Sequence, residues 1–222
     1  MRTNRIFLDM ILGLMLIGML SFTACENLPG EDALKIVSHS GYTTGDSLKR
    51  YLIVVGEVQN TGSNNLRNVK IMATFYDEDG KVQSTSEADT MLDILLPGEK
   101  SPFAIYSYRI EGMKKYSLKV IDYEKTDIQP SREFQVVDYT SDIHRIFGTY
   151  QNTGTSVAGS PEVIATCYDV EGRVIGAGSD WQAVTQLKTG EATPFDVEVW
   201  PVDCEPKSAT CILQIQCESS VQ

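Results

Sequence analysis

The sequence predicts an all-β protein of two tandem sandwich domains, and three observations lead there. One mixture of turn residues and apolar alternation is written twice. Each copy carries about seven short strand-like segments. No stretch has the period of an amphipathic helix.

The repeat comes first. "GEVQNTGSNNLRNVKIMATFYDEDGKV" begins at Gly56 and "GTYQNTGTSVAGSPEVIATCYDVEGRV" at Gly148. Overlaying the two glycines aligns Gln59-Asn60-Thr61-Gly62 with Gln151-Asn152-Thr153-Gly154 without a gap. Ala73, Thr74, Tyr76, Asp77 and Gly80 then fall on Ala165, Thr166, Tyr168, Asp169 and Gly172. Gly98, Glu99, Pro102 and Phe103 fall on Gly190, Glu191, Pro194 and Phe195, so an internal duplication is the economical account.

Strands follow in order through the first copy: "ALKIVSH" from Ala33, "RYLIVVGEVQ" from Arg50, "NVKIMATFYD" from Asn68, "KVQSTSE" from Lys81, "MLDIL" from Met91, "PFAIYSY" from Pro102 and "KYSLKVIDY" from Lys115. β-Branched and aromatic residues dominate the second and third, and Val69, Ile71, Ala73 and Phe75 alternate with more polar neighbours, the period of a half-buried strand. Asn60-Thr61-Gly62 and Asp77-Glu78-Asp79-Gly80 supply residues that accept positive φ or bond their own backbone, and close the strands with turns. This pattern fits an immunoglobulin-like or fibronectin-III-like sandwich. Periodicity does not identify strand partners, so a closed barrel is the alternative. The copies occupy residues 33–126 and 127–219, with the polar "EKTDIQPS" as linker and residues 25–32 as a stalk.

Gly-x-x-Gln-Asn-Thr-Gly, then Ala-Thr-Phe-Tyr-Asp-x-x-Gly-Lys-Val, then Leu96-Pro97-Gly98-Glu99-Lys100-Ser101-Pro102-Phe103 resembles the FxLYD family of prokaryotic extracellular domains, and both copies match. The name-giving Phe is Ala73 in one copy and Ala165 in the other, and its Leu is Phe75 and Cys167, while Tyr76-Asp77 and Tyr168-Asp169 agree with the pattern. The resemblance implies a β-sandwich often carried on lipoproteins, and brings no catalytic residues with it.

The N-terminus gives the cell address. Arg2 and Arg5 precede the apolar "IFLDMILGLMLIGML", and Thr23-Ala24-Cys25 follows, the anatomy of a signal peptide over residues 1–24. It resembles a prokaryotic lipoprotein signal, with Phe22 where such signals usually carry Leu. Cys25 would then take the lipid and become the mature N-terminus, its acyl chains burying at about 0.8 kcal/mol per CH₂. A plain secretory signal and an uncleaved anchor are the alternatives, and the uninterrupted apolar run Met10–Leu20 falls short of the roughly 20 residues that span a bilayer. All three readings put the body outside the cytoplasm, in the cell envelope, facing the periplasm or the exterior.

A chain of 222 residues with 42% hydrophobic and 22% charged residues is ordinary for a globular protein. Its formal charge of -11 repels phosphate backbones, so nucleic acid is not an expected partner. Beyond Cys25, the cysteines Cys167, Cys204, Cys211 and Cys217 all lie in the second copy. An even set in an exported domain suggests disulfides. Cys204 with Cys211, across the connection between the last two strands, is favoured, leaving Cys167 with Cys217 or as a buried thiol. Zinc is not expected, because no Cys-x-x-Cys knuckle is present and His39 and His144 are the only histidines.

No nucleotide, metalloprotease or hydrolase signature is present, so no cofactor, metal or catalytic residue is assigned and the expected role is non-enzymatic. An EF-hand register on "DEDG" would put Phe75 at its first position and Ser86 at its last, which no calcium loop accepts. Asp138 and Asp142 near His144 and Arg145 read as a solvated strand end. Alternation about Phe103 and Ile105 turns Tyr106 and Tyr108 outward, and alternation about Phe195, Val197 and Val199 turns Trp200 outward. Such rings suit protein contact or glycan stacking, or else they cover the junction between the halves. The expected protein is a membrane-tethered lipoprotein presenting a binding or structural surface to an envelope protein. A glycan-binding module is the runner-up, and an exported hydrolase with an unrecognised site is the alternative from another class.

Overall fold

The computed structural model describes residues 33–45, 50–108, 113–142, 144–180, 184–200, 210–217 and 220–221. The signal segment, Cys25, the stalk and Cys204 lie outside them. Among the described residues every regular element is a strand.

The first half contains β1 (Leu34–Gly45), β2 (Arg50–Asn60), β3 (Asn65–Tyr76), β4 (Val82–Asp89), β5 (Ile94–Leu95), β6 (Lys100–Tyr108) and β7 (Lys115–Thr126), one for each expected segment. β2 pairs with β1 and β6 in one sheet, while β3 pairs with β4, β5 and β7 in the other. Consecutive β2 and β3 thus lie in different sheets, so the halves close as sandwiches and not as barrels.

The second half repeats the plan with β8 (Phe134–Ser141), β9 (Arg145–Asn152), β10 (Val157–Gly159), β11 (Glu162–Tyr168), β12 (Val174–Asp180), β13 (Gln186–Leu187), β14 (Ala192–Glu198), β15 (Thr210–Gln216) and β16 (Ser220–Val221). Here the counterparts of β3 and β7 are each split in two. The duplication extends to register: Gly56 faces Phe103 and Gly148 faces Phe195, and the bulge at Phe75/Tyr76 recurs at Cys167/Tyr168. Even the unusual backbone is copied, since Asn68 (φ 54°) and its counterpart Ser160 (φ 44°) are the non-glycine residues with positive φ among those described.

Each sandwich has its own core. Val54, Val58, Ile71, Phe75, Phe103 and Ile105 anchor the first, and Ile146, Tyr150, Val163, Phe195 and Val197 the second. Gly56 is required by the first of these, because a Cβ there would stand 2.4 Å from the Phe103 ring.

The repeated Asn-Thr-Gly motif holds the two sheets together at one end. Asn60 is fully buried; its Nδ2 donates to the carbonyls of Asn64 (2.8 Å) and Leu95 (2.9 Å), and its Oδ1 accepts from Gly62 N (3.0 Å). Asn152 makes the same three bonds, to Ser156 O, Leu187 O and Gly154 N, each 2.9 Å. The Pro-Gly-Glu turn completes the tie: Gly98 N donates to Asn60 O, and Leu96 N to the Glu99 carboxylate. Gly98 and its counterpart Gly190 sit at φ near 80° and 75°, where a side chain would be strained.

The cysteines pair differently from the expectation. Cys167 bonds Cys211, with Cα atoms 4.0 Å apart, so neither Cys204 with Cys211 nor Cys167 with Cys217 forms. The reason is topological. β14 and β15 belong to different sheets, so the connection carrying Cys204 is not a hairpin between partners, whereas β11 and β15 pair with Cys167 opposite Cys211. The corresponding register in the first half sets Phe75 opposite Tyr116, ring centroids 6.4 Å apart. A covalent bond therefore stands where the other copy has an aromatic pair. Cys217 is buried beside Gly159, its Sγ 3.0 Å from that residue's carbonyl.

Replacing Asn152 by Ala leaves the buried Leu187 carbonyl and Gly154 N–H, and the part-buried Ser156 carbonyl, without their partner, and is expected to lower stability by about 3 kcal/mol in urea denaturation. Non-reducing peptide mapping is expected to recover the Cys167 and Cys211 peptides joined, and Cys211→Ser to cost about 2–4 kcal/mol.

Candidate functional site

The outer face of the β1-β2-β6 sheet is built from residues of one parity: Tyr51, Ile53, Val55 and Glu57 from β2, and Pro102, Ala104, Tyr106 and Tyr108 from β6. Part of this face is covered by the second half. Ile53, Val55 and Val174 are each buried to 2% exposure or less, with Tyr42, Ala104, Tyr168 and Trp200 packed around them. Burial of each of the three contributes about 1.5–3 kcal/mol.

Polar contacts fix the register of this junction. Glu57, only 2% exposed, accepts from Lys100 Nζ (2.9 Å) and from the Tyr168 hydroxyl (2.5 Å). Burial and then the bond to the Glu57 carboxylate hold the Tyr168 hydroxyl far above its ordinary value, so it remains a donor. Val174 N donates to Ser38 Oγ, and the buried Gln216 accepts from Asp93 N while donating to Met91 O. The Arg132 guanidinium grips both Glu99 oxygens and the Ile94 carbonyl. The halves meet as one packed body.

Beyond the covered strip the same face continues as a tyrosine shelf. Tyr108 is 74% exposed and Tyr106 49%; Tyr51, half-buried, faces Tyr108 across the strands with ring centroids 5.2 Å apart. Glu198 is exposed and close enough to act on Tyr106, whose hydroxyl is pushed up mainly by burial and then by that carboxylate. Of the rings singled out in the sequence, Tyr106 and Tyr108 thus lie together on the shelf. Trp200 instead packs into the junction cluster, its backbone bridged to Ala177. Tyr51 was missed. Its signal was the run "YLIVV", apolar on both parities, which marks a strand buried on two faces and continuing into the shelf.

The equivalent face of the second half has a different chemistry. Arg145 and Phe147 stand where β2 has Ile53 and Val55, and Asp196 and Glu198 where β6 has Ala104 and Tyr106. Phe147 is 42% exposed, and Arg145 forms an ion pair with Asp196.

The remaining acidic motifs hold turns. Asp77 Oδ1 accepts from the backbone of Asp79 and Lys81, Asp169 Oδ1 does so from Glu171 and Arg173, and Asp142 Oδ1 from His144 and Arg145. Among the described residues no three His, Cys, Asp or Glu side chains converge as metal ligands.

No family model and no curated protein matches the chain. Among solved structures it is similar to the crystal structure of Momordica charantia 7S globulin, with 5% identity over 85% of each chain and a TM-score of 0.15. At that score the likeness carries no argument.

Glu162 offers a test of the junction's electrostatics. Burial above all, joined by Asp93 and Asp180, raises its carboxyl above the usual glutamate range. The fold therefore favours the protonated form, and stability falls as pH rises through the raised value. Glu162→Gln is expected to leave the thermal midpoint unchanged well below the ordinary glutamate pKa and to raise it at neutral pH, measured by circular dichroism.

Proposed function

We propose that the chain is a cell-envelope lipoprotein, tethered to a membrane through acyl groups on Cys25, whose two sandwiches form a rigid non-enzymatic unit presenting the tyrosine shelf to an envelope protein. The tether rests on the signal anatomy and on the resemblance of both halves to the FxLYD pattern. The binding role rests on one observation above others: Tyr106 and Tyr108 remain exposed on a face whose other apolar residues are covered. Exposed aromatic surface continuous with a packed junction marks an interaction site. The motif side chains support the same reading, because Asn60, Asn152, Asp77, Asp169, Glu99 and Glu191 are all engaged in holding turns.

Metabolic labelling with palmitate is expected to mark the wild-type chain and not Cys25→Ser, which moves to the soluble fraction. Cross-linking in the envelope is expected to trap a discrete partner protein that Tyr108→Ala no longer captures. Equal labelling of Cys25→Ser, or capture indifferent to Tyr108, overturns the corresponding half of the proposal.

A further inference from the structure

We infer that the tyrosine shelf stands at the pole of the molecule farthest from the tethering bilayer, so that its protein partner docks from the aqueous phase and not from within that membrane. This placement rests on the proposed reading of Cys25 as the tether and of the shelf as a binding surface, and adds the direction from which the partner comes.

The chain enters the fold at the Asn60 clasp. Thr61 N donates to Ala33 O at 2.8 Å, and β1 starts with Leu34 opposite Asn60. Only residues 26–32 separate Ala33 from Cys25, a length that reaches at most about 28 Å when fully extended. The clasp, with the exposed Ser63 beside it, is therefore the end held near the headgroups.

The shelf lies at the other end of the same strands. Tyr51 sits at the start of β2 and faces Tyr108 at the end of β6, whereas Asn60 closes β2. Nine residues of extended strand between Tyr51 and Asn60 set the shelf about 30 Å beyond the clasp.

The second half extends in the same sense. Arg132, two residues before β8, grips Glu99 and the Ile94 carbonyl beside the first clasp, and Ser131 bridges Cys217. From there β14 runs out from Ala192 to Glu198, and Trp200 beyond it packs with Ile53 and Val55. Because the halves pack as one body, the shelf cannot swing back towards the entry pole independently of the rest. A net charge of -11 also opposes laying the whole body flat on anionic headgroups.

The test places the photo-cross-linking residue p-benzoylphenylalanine at Ser63 or at Tyr108 of the full lipidated chain. Each protein is irradiated in vesicles of phosphatidylethanolamine and phosphatidylglycerol and in the intact envelope, with palmitate labelling scored on the same samples. In vesicles the Ser63 position is expected to form phospholipid adducts and the Tyr108 position none. In the envelope the Tyr108 position is expected to join a protein through a peptide outside any membrane-spanning segment of that partner. Phospholipid adducts no more abundant at Ser63 than at Tyr108 overturn the inference, as does a cross-linked partner peptide that lies within a membrane-spanning segment. In both cases palmitate on Cys25 and capture that depends on Tyr108 leave the proposed function standing. A chain that takes no palmitate fells the tether and this placement together.

Discussion

Burial of β2 on both of its faces is the constraint on which the rest of the molecule depends. Val54 and Val58 point into the first core, while Ile53 and Val55 point the other way into the junction with β12. A one-residue slip would exchange the two apolar sets and turn the buried Glu57 towards the first core, so side-chain shape and this carboxylate specify the register. That register sets where Glu57 meets Tyr168, and it also decides which residues emerge past the covered strip as the tyrosine shelf. Core and junction take the two parities of one strand, and the shelf continues the parity of the junction.

The polar motifs perform the complementary task. Each sandwich has two sheets joined by loops, and the carbonyls of those loops would lie buried without donors if a single asparagine amide did not reach them. Asn60 and Asn152 supply those donors, and the glutamates and positive-φ glycines of the neighbouring turns complete the arrangement. The sequence repeats these residues more faithfully than it repeats its apolar ones, because a hydrogen-bonded clasp tolerates fewer substitutes than a packed core does.

Much of this was legible in advance. Alternation named all seven strands of the first half, and the duplicated turn motif located the second. Strand ends that fall in continuous pairing were harder: β1 and β7 run several residues past the predicted segments because ladder hydrogen bonds, not hydrophobic period, carry them on. The disulfide was misread because spacing along the chain says little about which strands pair across a sandwich. Cys167 and Cys211 meet only through the β11–β15 register. Tyr106 and Tyr108 were visible from parity, whereas the position of Trp200 depended on how the halves dock, which no local pattern encodes.

The Arg145–Asp196 ion pair on the second half has a consequence for crowding. Where the first half offers greasy surface that its neighbour in the chain seals, the second offers fixed charges, which another module would have to strip of water before docking. Burying that face would cost the hydration of both charges and return little beyond the ring of Phe147.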